Sequence, residues 1–307
     1  MLSVTDRLVL RTVDGAADLL TADLRAMASI HSIRQASVDT VECTLDGDLE
    51  ELAACPLYST VDIADPELSL RCGLLSTLDP SFHPTAGQGQ VDRGTVRFAP
   101  LSWTRRFGSY ERLPWSTNLI VAEVLVRLAK IRPGHRVLDP FCGTGTILRA
   151  AHRHEPTAHI GGVDHDHLAL RLAARNARTA HDPRPADQGR RPVVQGPRLV
   201  VPGGRLVEGR AEQLPLLDGS VDRVVANLPF GKQVGSHRDN QRLYPAMLEE
   251  LERVVVRDGR IVLLTEDKRL LRNAVQRSSF KVVRERLFRY NGATPTAYVL
   301  SRTANSR

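Results

Sequence analysis

Apolar and polar positions change rhythm several times along the chain, and each change marks an element. From Arg7 to Thr12 they alternate as in a half-buried strand, and then Ala16, Leu20, Leu24 and Met27 recur at helical spacing on one face. Ile30 to Arg34 and Val38 to Leu45 alternate again and predict two strands. Asp48 offers an N-cap for a short helix through Ala54, and Leu57 to Ile63 is rich in β-formers. The resulting order, β-α-β-β-α-β, is the ferredoxin-like arrangement, a small α+β unit that names no ligand by itself. Pro, Gly, His, Gln and Ser without periodicity between Asp79 and Arg93 read as a linker. The pattern therefore predicts a ferredoxin-like recognition domain plus linker over residues 1–100 and a second domain over 101–307.

In the second domain Ser116 or Thr117 can cap a helix running to about Lys130, with Ile120, Val124 and Leu128 on one face and Pro133-Gly134 as its stop. Strands and helices then alternate. Val137-Leu138 and Ile160 to Val163 read as strands, and helices start at Thr146 and at Asp166, the second reaching Thr179. Further strands follow at Arg205 to Glu208, Val221 to Ala226 and Arg260 to Leu264, with a helix at Leu243 to Val255. This is the signature of a Rossmann-like, doubly wound α/β sheet. His181 to Gly204, full of Pro, Arg and Gly, reads as an exposed loop. At the end, Phe280 to Phe288 and Pro295 to Ser301 flank Asn291-Gly292, which predicts a C-terminal antiparallel hairpin.

Composition narrows the class. With 307 residues, 42% hydrophobic and 25% charged, the chain suits a folded soluble protein and excludes a disordered, fibrous or disulfide-stapled one. No apolar run approaches the roughly 20 residues that span a bilayer, and Asp6, Arg7 and Arg11 near the start replace a signal-peptide core; a cytoplasmic protein without membrane contact is expected. The 42 Lys and Arg against 35 Asp and Glu give a net charge of +7, which fits an anionic partner such as RNA and equally a GC-rich coding bias. Cys43, Cys55, Cys72 and Cys142 form no CxxC pair, and the histidines His152, His154, His159, His165 and His167 fall on different helix and strand phases, so no metal site is expected.

In open α/β sheets ligands lie beyond the carboxyl ends of the strands. The run RVLDPFCGTGTI puts Asp139 at a strand end and Gly143 and Gly145 in the following turn, where missing side chains permit close backbone approach to a ligand. In GGVDHDHLAL, Asp164 ends the second strand, where a carboxylate accepts from ribose hydroxyls, whereas Asp166 reads as a helix cap. The run VANLPFG follows the fourth strand. Asn227 brings a side-chain carbonyl, the rigid Leu228-Pro229 segment a backbone carbonyl, and Phe230 an aromatic face. Two acceptors on the N–H groups of a conjugated amine favour a pyramidal nitrogen and aim its lone pair at an electrophile.

With these residues the sequence resembles the class I S-adenosylmethionine-dependent methyltransferases that carry an (N/D)-x-P-(F/Y) motif, over about residues 112–307. NLPFGKQVGS followed by LYPAMLEELERVVVRDGRIVLLTEDKR is similar, more narrowly, to the tRNA guanine-N2 methyltransferases whose catalytic domain follows a THUMP module. The resemblance implies S-adenosylmethionine as cofactor and the exocyclic N2 of guanosine in tRNA as target. It implies that Asp139, Pro140, Gly143, Thr144 and Gly145 surround the methionine part, that Asp164 holds the ribose, and that His165, Ala211 and Glu212 lie at the adenine. It implies that Asn227, Leu228, Pro229 and Phe230 present the amine. Three departures stand out: too few residues precede the catalytic domain for a full THUMP module as well, Arg210 occupies a place that is usually acidic, and His165 replaces an apolar residue.

Two other functions fit the same residues. A small-molecule N-methyltransferase acting on a guanidino or conjugated amine group needs the same acceptors, and a non-catalytic RNA-binding relic would account for Arg210. Cys142 invites a nucleophile reading, but a carbon methyltransferase has no use for Asn227. Trp103, Phe107, Tyr110 and Trp115, interleaved with Arg105, Arg106 and Arg112, form either a base-stacking surface or a domain-interface cluster.

Overall fold

The computed structural model describes residues 4–47, 52, 54–63, 96–97, 107, 110–179, 198–201, 204–230 and 237–303. They belong to two units, Met1–Ser109 and Tyr110–Arg307. In the first, strands β1 (Val4–Arg11), β2 (Ile30–Gln35), β3 (Thr40–Gly47), β4 (Thr60–Ile63) and β5 (Val96–Arg97) form one sheet in the order β2-β3-β1-β4-β5, with every neighbouring pair antiparallel. The first four strands have the order of a ferredoxin-like unit. Helix α1 (Ala17–Arg25) turns Leu20 and Leu24 inward, where Leu8, Leu10, Val41 and Leu45 are also buried. Most of the expected helix from Asp48 to Ala54, and all of the linker from Asp79 to Arg93, lie outside the described residues.

The second unit holds an eight-stranded sheet in the order β12-β13-β11-β10-β6-β7-β9-β8. Its strands are β6 (Arg136–Asp139), β7 (His159–Asp164), β8 (Arg198–Val201), β9 (Gly204–Glu208), β10 (Val221–Asn227), β11 (Val255–Thr265), β12 (Phe280–Leu287) and β13 (Thr296–Arg302). The neighbours from β11 to β9 run parallel, and β8 and the hairpin β12–β13 are antiparallel to theirs. The chain moves outward from β6 through β7 to β9 and then returns to β10 and β11 on the other side. The crevice where a ligand binds therefore opens at the carboxyl ends of β6 and β10.

The helices are α2 (Leu119–Ala129), α3 (Thr146–His154), α4 (His167–Thr179), α5 (His237–Val254) and α6 (Lys268–Gln276). The larger core sets Tyr244, Met247, Leu248 and Leu251 of α5 and Leu271, Ala274 and Val275 of α6 against Val224, Ala226, Ile261 and Leu263 of the central strands. A second core packs Leu170, Ala173 and Ala174 of α4 against Leu206 and Cys142. At the other ends of the strands, the Asp222 carboxylate accepts from the Arg136 backbone N–H and guanidinium and ties β10 to β6.

Four expectations are corrected. The cap of α2 is Asn118, whose side chain accepts from the N–H groups of Ile120 and Val121, because Ser116 and Thr117 are engaged elsewhere. The same helix ends at Lys130 as expected, but what ends it is that residue's left-handed backbone at φ 51° and not Pro133-Gly134. Arg198–Val201, inside the expected exposed loop, is an edge strand paired with β9; residues 180–197 lie outside the description. Helix α6 was not expected, although Leu271, Ala274 and Val275 have its spacing and Asp267 accepts from Leu270 N–H as its cap. The hairpin is as expected: Asn291 and Gly292 both have positive φ, and Tyr290 and Ala293 exchange both backbone hydrogen bonds.

Candidate active site

A cleft of about 1120 Å³ opens over the carboxyl ends of the strands, and its wall includes eleven of the thirteen residues singled out above: Pro140, Gly143, Thr144, Asp164, His165, Ala211, Glu212 and the run Asn227, Leu228, Pro229, Phe230. Asp139 and Gly145 stand behind it. Asp139 ends β6 almost fully buried, accepting from Phe141 N–H at 3.0 Å. Burial pushes its carboxyl well above the usual range against the pull of that N–H, and the neighbouring Asp164 adds to the rise. Gly145, at φ 80°, opens α3, and a Cβ there would meet Ala173 Cβ at 3.3 Å; its smallness serves helix packing. Gly143, at φ 50°, has nothing within 4 Å of where a Cβ would stand, so its backbone faces open cleft.

The glycine turn is held from two sides. Asp164, ending β7, accepts from Gly143 N–H at 2.8 Å and from Asp166 N–H at 2.9 Å. Four lone-pair directions serve these two donors, so the carboxylate retains capacity for hydroxyl groups from the cleft. From the other side, the Thr144 carbonyl accepts from Asn176 Nδ2 at 2.9 Å and from the Tyr110 hydroxyl at 2.8 Å. Asn176, buried on α4, also exchanges hydrogen bonds with both backbone groups of Glu111.

Tyr110 is thus a brace for the loop and not a stacking platform. Burial pushes its phenol up to about 12. Arg112 donates to the Ser116 and Thr117 carbonyls, Trp115 stands exposed on the cleft wall, and Trp103 lies outside the described residues. Asn176→Ala leaves the partly buried backbone N–H and carbonyl of Glu111 unpaired and takes one of two donors from the Thr144 carbonyl, and we expect a loss of about 2 kcal/mol in urea unfolding at unchanged m-value. A loss under about 0.5 kcal/mol would show that the brace is idle.

The exit of β10 is the most specific part of the cleft. Asn227 Nδ2 donates to Thr117 Oγ1 at 3.0 Å, which leaves Asn227 Oδ1 buried without a partner. Leu228 N–H donates to the Leu264 carbonyl, while its own carbonyl accepts from no described residue. The Pro229 carbonyl is fully engaged, by Asn240 Nδ2 at 2.7 Å and the Tyr244 hydroxyl at 2.9 Å. Phe230 completes the wall.

Asn240 and Tyr244 were not singled out from the sequence. They stand one helical turn apart on α5, on the same stripe as Met247, Leu248 and Leu251, and that continuity was the available signal. Beyond the ends of β9 and β7, Arg210 turns to Glu212 at 3.1 Å, and His165 Nδ1 lies 3.4 Å from Asp164 Oδ1. Among the described residues no group of three His, Cys, Asp or Glu could hold a metal ion, and no helix is long and apolar enough to cross a membrane.

A doubly wound sheet whose strand order reverses beside β6, with a glycine turn there and acceptors at the exit of β10, defines a Rossmann-like methyltransferase. The chain belongs to the UPF0020 family, RMKL-like, methyltransferase domain, whose model matches residues 116–189 and 205–295. It is 34% identical over 194 residues to the tRNA (guanine(6)-N(2))-methyltransferase THUMP3 of Homo sapiens, covering 62% of this chain and 37% of that protein. To the tRNA (guanine(6)-N2)-methyltransferase of Thermus thermophilus it is 33% identical over 204 residues, 66% of this chain and 54% of that one. It therefore spans a third to about half of the length of these curated relatives. Its fold is similar to the crystal structure of TrmN from Thermus thermophilus, with a TM-score of 0.72 at 23% identity, over 98% of this chain and 100% of that chain.

Proposed function

We propose that this protein methylates the exocyclic N2 of guanosine in RNA, tRNA being the RNA named in the two relatives above, with S-adenosylmethionine as donor. The observation that carries this reading is Asn227 Oδ1, a buried acceptor without a donor, beside the unengaged Leu228 carbonyl. A buried acceptor left unsatisfied costs about 1–3 kcal/mol, a cost expected where a ligand supplies the missing donor.

The residues present fit the cofactor. Gly143 leaves open space for the methionine part, Asp164 has lone pairs for ribose hydroxyls, and the exposed His165 ring and Ala211 can border the adenine. Bound there, the cofactor supplies a methyl group on positively charged sulfur. Asn227 Oδ1 and the Leu228 carbonyl accept the two N–H groups of the target amine and turn its lone pair out of conjugation, while Phe230 stacks on the ring. Amide oxygens are weak bases, so the surplus proton of the alkylated amine passes to water, and orientation supplies most of the rate.

The test is transfer of labelled methyl from S-adenosylmethionine to unmodified tRNA and, separately, to a pool of guanidino and amino metabolites, followed by mass spectrometry of digested nucleosides. We expect N2-methylguanosine. Label confined to a metabolite would overturn the RNA reading in favour of the small-molecule enzyme. We also expect RNA affinity to fall steeply between 50 and 200 mM salt, on the order of tenfold or more if several phosphates are contacted. A small substrate would leave affinity nearly flat.

A further inference from the structure

Asn240 lies in the first half of α5 and lines the cleft, although it is only 1% exposed. Its amide orientation is set by its partner. Nδ2 donates to the Pro229 carbonyl at 2.7 Å, and a carbonyl is only an acceptor, so the flipped amide would oppose two oxygens. Oδ1 is therefore a fixed acceptor, and it is buried with no partner. Asn227 Oδ1 is in the same condition at the other end of the Asn-Leu-Pro run. Buried polar atoms are as a rule paired, and here two residues of one cleft wall hold such atoms, while the Leu228 carbonyl in that run accepts from no described residue.

We propose that Asn240 is a specificity-determining residue whose Oδ1 accepts the N1–H of the guanine that is methylated. This deepens, and rests on, the guanine-N2 reading of the cleft. Guanine carries three N–H donors along one edge, two on N2 and one on N1. Asn227, Leu228 and Asn240 all line the cleft, and each carries an acceptor without a partner among the described residues. A purine with the same amine but an unprotonated N1, such as 2-aminopurine, turns a lone pair toward Asn240 Oδ1 and leaves it unsatisfied. An analogue that leaves a buried acceptor of the site unpaired is disfavoured for that reason alone. The Tyr244 hydroxyl, which also holds the Pro229 carbonyl, has no such role and positions the run for any amine.

The experiment compares RNA carrying either guanine or 2-aminopurine at the position that the wild-type protein methylates, using kcat/KM for methyl transfer. We expect wild type to favour guanine by about 10²-fold. Asn240→Ala should slow both substrates, since the Pro229 carbonyl loses a donor, but should slow guanine about 10²-fold more, so that discrimination collapses toward unity. Tyr244→Phe should slow both equally and keep the discrimination. Equal slowing of both substrates by Asn240→Ala would reduce Asn240 to a positioning residue and overturn the proposal. So would wild-type protein that methylates 2-aminopurine as fast as guanine, a result that needs no variant to fold. Failure of wild type to methylate guanosine in any RNA is a different outcome and overturns the underlying reading instead.

Discussion

Asn227→Ala should lower single-turnover methyl transfer by about 10²–10³-fold, the range found when one preorganised hydrogen-bond partner of a transition state is removed. The exocyclic amine of guanine, the proposed target, is a poor nucleophile because its lone pair is delocalised, and a site that methylates it must undo that delocalisation at the moment of attack. Asn227 Oδ1 is suited to it: with the amide nitrogen donating to Thr117 Oγ1, the oxygen is a buried acceptor without a protein donor, on a residue that lines the cleft. Affinity for S-adenosylhomocysteine should stay within about threefold of wild type, since the glycine turn and Asp164 are held by other contacts. Asn227→Asp should retain most activity, because a carboxylate keeps the acceptor and the Thr117 hydroxyl can donate to it instead of accepting. Wild-type turnover in Asn227→Ala would remove the side-chain acceptor from the mechanism and leave the Leu228 carbonyl alone.

The difference between what was legible in the sequence and what was not follows the range of the interactions. Gly143 and Asn227 declare themselves because their surroundings are local: a strand, an immediate turn, and residue types that few other turns require. Asn291-Gly292 is legible for the same reason, since both residues take positive φ in a two-residue hairpin. Asn118 hides inside Ser116-Thr117-Asn118, where each residue is a chemically valid cap. Only the tertiary contacts decide, with Ser116 Oγ accepting from Leu113 N–H and Thr117 Oγ1 from Asn227. The edge strand β8 was hidden by its Pro-Gly-Gly exit, which reads as loop until β9 is there to pair with it.

Asn240 and Tyr244 illustrate the same limit within the site. On α5 they continue an apolar stripe, and nothing in their spacing reveals that the stripe ends at the Pro229 carbonyl, 11 and 15 residues earlier in the chain. Tyr110 points the other way: its aromatic and arginine neighbours left a base-stacking surface and a domain-interface cluster both open, while its hydroxyl closes on Thr144 and Thr146, 34 and 36 residues away. Asn240, Tyr244 and Tyr110 carry no motif of their own, and the carbonyls that they hold, of Pro229 and Thr144, are backbone remote in sequence.

Asp164→Ala is expected to weaken S-adenosylhomocysteine binding by about 10²–10³-fold, measured by calorimetric titration. Two effects combine. The Asp164 carboxylate accepts from Gly143 N–H and Asp166 N–H at 2.8 and 2.9 Å, and hydrogen bonds to a charged group are worth about 1.5–3 kcal/mol each. Their loss loosens the glycine turn on the β7 side, where Cys142 N–H still donates to the Val163 carbonyl, and leaves the contacts of Tyr110, Asn176 and Ser116 with Thr144. The variant also deletes the lone pairs that face the cleft and would accept ribose hydroxyls. At 1.4 kcal/mol per factor of ten, a net loss of roughly 3–4 kcal/mol corresponds to the stated range. Asp164→Asn separates the two effects: its single amide oxygen can keep one backbone donor, while its nitrogen turns a donor toward the other. It should fall between alanine and wild type in both melting temperature and affinity. If Asp164→Ala lowers the melting temperature but binds S-adenosylhomocysteine as tightly as wild type, the carboxylate serves the fold alone, and the ribose must be held elsewhere in the cleft.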